Sequence, residues 1–393
     1  MEKMIYLDNA ATTQVSEEVL KEMLPFFRDN YSNPSAFYRF ASEGKMALDK
    51  AREQVAALIG AKSDEIYFTG SGTESDNWAI KAVAESYKDK GRHIITSKVE
   101  HHAILHTCQY LEKNGYEITY LNVDEYGKIS LEELERTIRP DTILISVMTA
   151  NNEIGTIEPI AQIGKLAHEK GVLFHTDAVQ AVGHIPMDVE AMNIDMLSAS
   201  GHKLNGPKGV GIMYVRKGVR LPSFIHGGAQ EKNRRAGTYN VPGIVGFGKA
   251  AELAGQRMEE RAAKETALRD YLIKRVLDEI PYSRLNGHRT DRLPCNAHFC
   301  FRFIEGESML IMLDQLGVCA SSGSACTSGD LDPSHVLLAI GLAHEIAHGS
   351  LRLTLSDETS FEEIDFVVEE LKKIIERLRS MSPLYEDFLR QSK

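Results

Sequence analysis

Apolar and polar positions alternate in two rhythms along this chain. Short, nearly continuous apolar runs such as EIYFTG, HIITS, TILISVMT, VLFHTD and IDMLSAS recur between about Ser16 and Glu260. Between them lie stretches with apolar residues three and four apart: one from about Thr73 to Lys88, then HHAILHTCQYLEKNG and PIAQIGKLAHEKG. A run apolar on both faces suits a strand inside a parallel sheet, and the three-to-four spacing suits a helix packed on that sheet. The alternation predicts an α/β fold with a large, mostly parallel sheet and helices on both faces. A long helical stretch follows from about Gly243 to Glu279. After RLPCNAHFCFRF a smaller α/β unit is expected, built from ESMLIMLDQLG, SLRLTL and a closing helix from about Phe361 to Ser380. The expected division is a large domain over 16–260 and a small one from 1–15 and 261–393.

Composition narrows the functional classes. With 393 residues, 43% of them hydrophobic, the chain is long enough for two cores. A net charge of -11 gives no electrostatic support for nucleic acid or a membrane surface as partner. No apolar run approaches the ~20 residues needed to cross a bilayer, and MEKMIYLDNAATT lacks a signal-peptide pattern. A cytoplasmic location is expected. The five cysteines, Cys108, Cys295, Cys300, Cys319 and Cys326, form no CxxC pair, so neither a disulfide framework nor a metal site is expected.

In sheets of this kind ligands bind beyond the carboxyl ends of the strands, and three polar clusters fall there: Gly70–Thr73, Asp177–Gln180 and Ser200–Lys203. TGSGTES joins a strand to a helix. Gly72 lets the backbone approach an anion, and Thr73 with the helix N-terminus supplies donors for a phosphate. Alone, with neither a Walker motif nor GxGxxG, the segment reads better as a capped turn. Asp177 lies 26 positions before Lys203. A carboxylate and a lysine on neighbouring strand ends, beside a phosphate loop, suit pyridoxal 5'-phosphate. The lysine forms a Schiff base and the carboxylate keeps the pyridine nitrogen protonated. Ser200 and His202 add phosphate donors, and Gln180 or Asn152 can reach the ring hydroxyl. His101, in VEHHAIL, is read first as stacking on the ring and shuttling protons, second as ordinary polar packing and last as a metal ligand. Cys326 sits in CASSGSACTSGDLDPSH, a run with little to pack, so a mobile nucleophile is expected over about 318–332. Arg352 suits a substrate carboxylate or a structural ion pair.

Taken in order, YLDNAATT, GSGTESDN, EHHAI, ANNEIGT, FHTDAVQA, SGHKLNGPKGVG, RRAGTYN and SSGSACTSG resemble the cysteine desulfurases of the NifS/IscS group, over nearly the whole chain. That resemblance implies the aspartate-aminotransferase-like fold of fold type I. It implies Lys203 as the Schiff-base lysine, Asp177 at the pyridinium, His101 over the ring, and Thr73, Ser200 and His202 at the phosphate. Asn152 and Arg352 take the substrate carboxylate, and Cys326 accepts sulfur from L-cysteine as a persulfide, leaving alanine. Thr238, in RRAGTYN, reaches the phosphate of a partner subunit, which implies a homodimer. An iron–sulfur scaffold, nitrogenase-linked or general, or another sulfur acceptor follows as partner. A selenocysteine lyase on the same fold is the alternative. Tyr38, where relatives carry a histidine, and Asp357, where a basic residue is common, depart from the family pattern.

Overall fold

The computed structural model describes residues 4–322 and 333–391. Twelve strands occur among them: β1 (Ile5–Tyr6), β2 (Ile66–Thr69), β3 (His93–Ser97), β4 (Glu117–Leu121), β5 (Thr142–Ser146), β6 (Leu173–Asp177), β7 (Met196–Ser200), β8 (Gly211–Val215), β9 (Ser283–Leu285), β10 (Asn296–Phe301), β11 (Val318–Cys319) and β12 (Ser350–Thr354). Seven form one sheet in the order β2-β8-β7-β6-β5-β3-β4. Every pairing in it is parallel except the two made by β8. That exception has a local cause. Only the segment 201–210 links β7 to β8, too short for a crossover, so the chain turns back on itself. Positive φ at Asn205 and Gly209 makes the bend.

Strands β2, β3, β5, β7 and β8 are buried along their whole length, as their unbroken apolar runs predicted. Strand β4 escaped that pattern. It lies at one edge of the sheet, its first residue is exposed, and EITYL alternates instead of running apolar.

A second sheet, β12-β10-β9, is antiparallel and carries its own core of Leu268, Leu272, Phe299, Phe301, Leu351, Leu353 and the inner face of the helix Phe361–Ser380. Ser360 and Glu363 close a capping box at the start of that helix. Strand β1 pairs with β11 beside this core. The helix Val241–Glu279, 39 residues long and so roughly 58 Å, ties the two cores together. Its residues up to Ala254 pack on the large sheet, and those from Leu268 pack on the small one. One further helix, Pro383–Gln391, lies beyond the closing helix expected from the sequence. None of the helices described is long and apolar enough to cross a membrane.

Candidate active site

At the carboxyl ends of β2, β3, β5, β6 and β7 the described residues enclose a cavity of about 440 Å³. The loops beyond these five strands build it, with Ala10 and Ala11 from the N-terminal segment. Beyond β2, the Ser71 hydroxyl accepts from the Glu74 amide at 3.1 Å and starts the helix Gly72–Tyr87, whose N-terminus opens into the cavity. Gly72 is required there, because a Cβ would stand 2.5 Å from Val179 Cγ2. Beyond β6 come Asp177, Val179 and Gln180; the Val179 amide donates to Asp177 Oδ1 at 2.9 Å. Beyond β7 the tight bend presents Ser200, His202 and Lys203. Lys203 Nζ donates to the carbonyls of Ala10 (2.5 Å) and Ala11 (2.9 Å). Lys208, in the same bend, lines a different cavity. Beyond β3, His101 caps the helix His102–Glu112: its Nδ1 accepts from the Ala103 amide at 3.1 Å, so the ring proton sits on Nε2.

The second sheet closes the cavity with Arg352 from β12. Its guanidinium donates to Asp8 Oδ1 at 2.9 Å and to the Asn152 carbonyl at 3.0 Å. The ion-pair reading of Arg352 therefore holds in this state of the molecule, with Nε buried and unpartnered at the cavity. Gln180 Nε2 donates to the Ala10 carbonyl at 3.0 Å, and Asn152 lines the wall. Thr238 is exposed and outside the lining, and Cys326 lies outside the described residues.

Comparison with known proteins follows the same line. Residues 5–367 match the family model described as aminotransferase class-V. Over 382 residues the chain is 56% identical to a cysteine desulfurase IscS of Methanosarcina thermophila, covering 97% of this chain and 94% of that one. The chain belongs to the cysteine desulfurases of the class-V aminotransferases. A cysteine desulfurase IscS of Clostridium botulinum (strain Hall) is 55% identical over 392 residues, 99% of both chains. A solved structure titled NifS-like protein superposes with a TM-score of 0.90 at 39% identity, covering 96% of this chain and all of that one. The fold is thus the one that the resemblance implied, and the selenocysteine lyase alternative is not favoured.

The electrostatics of this desulfurase cavity are set by burial. Asp177 and Asp76 are both pushed above the ordinary carboxylate range by loss of water. The Val179 amide and Lys203 pull Asp177 back, whereas Asp76 has Asp177 beside it, so the shared negative charge resides on Asp177. Burial lifts Glu100 to about 8, even though Ser97 Oγ (2.6 Å) and the Met148 amide (3.0 Å) donate to its Oε1. His101 falls to about 4 through burial first and Lys203 second, and His202 falls to about 4 for the same two reasons. Both imidazoles are neutral at pH 7.

Asp76, Glu100, Glu153 and His335 also line the cavity, and the sequence reading passed over them. A signal existed for three. Asp76 follows Thr73 by three positions on one helix face, Glu100 directly precedes His101, and Glu153 directly follows Asn152. His335 reaches the cavity only through the fold.

Proposed function

We propose that this cysteine desulfurase acts on L-cysteine with pyridoxal 5'-phosphate, passes the sulfur to Cys326 as a persulfide and releases alanine. One observation carries the reading. A lysine amine stands in a buried cavity between a helix N-terminus with hydroxyl donors and a buried carboxylate. Phosphate, aldehyde and ring nitrogen need those three groups, in that order. The close approach at Gly72 leaves backbone in reach of a phosphate where any side chain would stand in the way. When bound, the cofactor supplies an aldehyde for the Lys203 amine and a ring that takes up electrons from the substrate's Cα.

This chain's own residues do the rest. Gly72, Thr73, Ser200 and His202 hold the phosphate, and Gln180 or Asn152 the ring hydroxyl. Asp177, carrying the pair's charge, would hold the ring nitrogen. Lys203 Nζ would take the Cα proton. His101 would stack on the ring and move protons at Nε2, which carries one while Nδ1 is held by the Ala103 amide. Asn152 and Arg352 take the substrate carboxylate, Arg352 giving up part of its contact with Asp8. The Cys326 thiolate attacks the substrate sulfur; the Cβ–S bond breaks, an S–S bond forms, and Cβ takes a proton. Ser321 pairs with Arg352, and Ser334 Oγ donates to Glu153 Oε2 at 2.5 Å, so the chain on either side of 323–332 is tied to the cavity wall.

Thr238, exposed and away from its own cavity, suits the phosphate of a second copy in a homodimer. The working division is a large domain over 16–260 and a small one from 1–15 and 261–393 that brings Cys326 to the site. An iron–sulfur scaffold or another acceptor then takes the sulfur, in the cytoplasm. The purified protein, mixed with L-cysteine, should show visible cofactor absorbance and yield one alanine per sulfur released. A keto acid in place of alanine would make it a transaminase, and a colourless inert protein would end the proposal.

A further inference from the structure

Away from this cavity, three side chains from distant parts of the chain converge in the interior. His184 follows β6, Glu265 lies on the helix Val241–Glu279, and Cys295 directly precedes β10. One ligand atom from each lies within 4.8 Å of the other two. Glu265 is 3% exposed and Cys295 7% exposed.

His184 Nε2 lies 2.8 Å from the Lys203 carbonyl. A carbonyl only accepts, so Nε2 carries the proton and the lone pair is on Nδ1. That Nδ1 and Glu265 Oε2 are both buried without a hydrogen-bond partner. Two orphaned acceptors beside a thiol are costly in a protein interior, by about 1–3 kcal/mol for each unsatisfied group. A cation removes the cost of both. An imidazole nitrogen, a thiolate and a carboxylate are zinc's donor types, and the thiolate and carboxylate together cancel its charge. A metal-bound imidazole ordinarily donates its other ring N–H to a backbone carbonyl or carboxylate, as His184 already does.

We propose that His184 Nδ1, Glu265 Oε2 and Cys295 Sγ form a zinc site, with one coordination position left for water. Binding releases the Cys295 proton to solvent, together with that of Glu265 where the carboxyl is protonated. Burial supports the arrangement from the other side. It holds Cys295 up at about 12 and His184 down at about 3, so without metal the thiol and the imidazole are uncharged, while Glu265, at about 7, is half ionised at neutral pH. Affinity therefore rises with pH. Arg261 Nε, 3.8 Å from Glu265 Oε1, engages the carboxylate's other oxygen and leaves Oε2 for the metal. Zinc on Nδ1 strengthens the Nε2–H bond to the Lys203 carbonyl, so occupancy stiffens the bend that carries the lysine.

The test uses full-length, cofactor-loaded Cys326→Ala protein, which removes the thiol assigned as the reaction's nucleophile, so that retained zinc cannot be ascribed to it. After incubation with zinc chloride and gel filtration, elemental analysis should find one zinc per chain. Glu265→Gln, Cys295→Ala and His184→Gln, each added to that background, should lower the count to near zero. No retained zinc in the Cys326→Ala protein, or an unchanged count in the folded site variants, overturns the proposal. Should those variants fail to fold, cobalt(II) in the Cys326→Ala protein decides. A thiolate-to-cobalt charge-transfer band, read against the zinc-loaded protein, supports the site, and its absence refutes it.

Discussion

Two glutamates in this molecule mark opposite uses of charge. Glu279, near the end of the long helix, accepts from Arg275 at 2.5 Å and from Lys372 at 2.9 Å, and is lowered to about 2 by those hydrogen bonds. Arg275 also donates to Asp365 (2.6 Å) and Glu369 (2.7 Å), so the helix Phe361–Ser380 is fastened by a paired network at the surface. Glu100, at the cavity, has no cation among its hydrogen-bond partners, and burial raises it to about 8. Asp76 and Asp177 beside it are raised too. Four buried carboxyl groups, Asp76, Glu100, Glu153 and Asp177, each raised by burial, line one cavity with Lys203 at one end of one sheet. Such an arrangement costs stability, and its place at the strand ends shows where the fold spends it.

The contrast breaks most severely at Lys203. Lys203→Ala leaves the surface network whole but removes the amine that holds the cofactor and takes the Cα proton. Alanine formation should fall roughly 1,000-fold or more, and borohydride should no longer fix the cofactor to the chain. Fixation through Lys208 in that variant would mean that the wrong lysine of the bend was chosen.

Asp177→Ala comes next. Phosphate contacts remain, so some cofactor should stay bound, while exchange of the substrate's Cα proton slows by several kcal/mol in barrier, each ~1.4 kcal/mol being tenfold. Near-normal exchange would remove Asp177 from the mechanism.

The smallest effects compare the two glutamates directly, by melting cofactor-stripped protein across pH. A carboxyl raised in the fold is favoured when protonated, so Glu100 costs stability progressively as pH rises from about 4.5 to about 8. Glu100→Gln should therefore be neutral at low pH and stabilising above pH 8, by on the order of 3 kcal/mol. Glu279 has the opposite sign: its contribution is present above about 4.5 and lost as pH falls towards 2. Its network is largely solvated, so Glu279→Gln should cost under about 1 kcal/mol at neutral pH. A Glu100→Gln protein less stable than wild type at pH 9 would contradict the assignment of burial as the dominant cause.

Much of this was legible in the sequence, for physical reasons. Short continuous apolar runs alternating with helical periodicity suit strands covered on both faces, so the mostly parallel sheet followed. Strand ends carry ligand groups, so Thr73, Asp177, Ser200 and Lys203 could be brought together before any coordinates. What stayed hidden depends on distance in space. His335 reaches the cavity from a segment 182 positions beyond Glu153, and no periodicity links the two. His184, Glu265 and Cys295 have no ligand spacing for the same reason, so their convergence could not be read from local patterns. The partner of Arg352 was hidden too, since Asp8 lies 344 positions away.

The central claim is that sulfur leaves cysteine for one thiol of this chain, and labelled sulfur tests it most directly. After incubation with sulfur-labelled L-cysteine and digestion without reductant, the label should be found on the peptide containing Cys326, with one alanine formed for each label bound. Cys108, Cys295 and Cys300 are buried and serve as internal controls, and Cys319, partly exposed, is the nearest rival. Label on Cys319, or alanine formed with no label on the protein, would contradict the account.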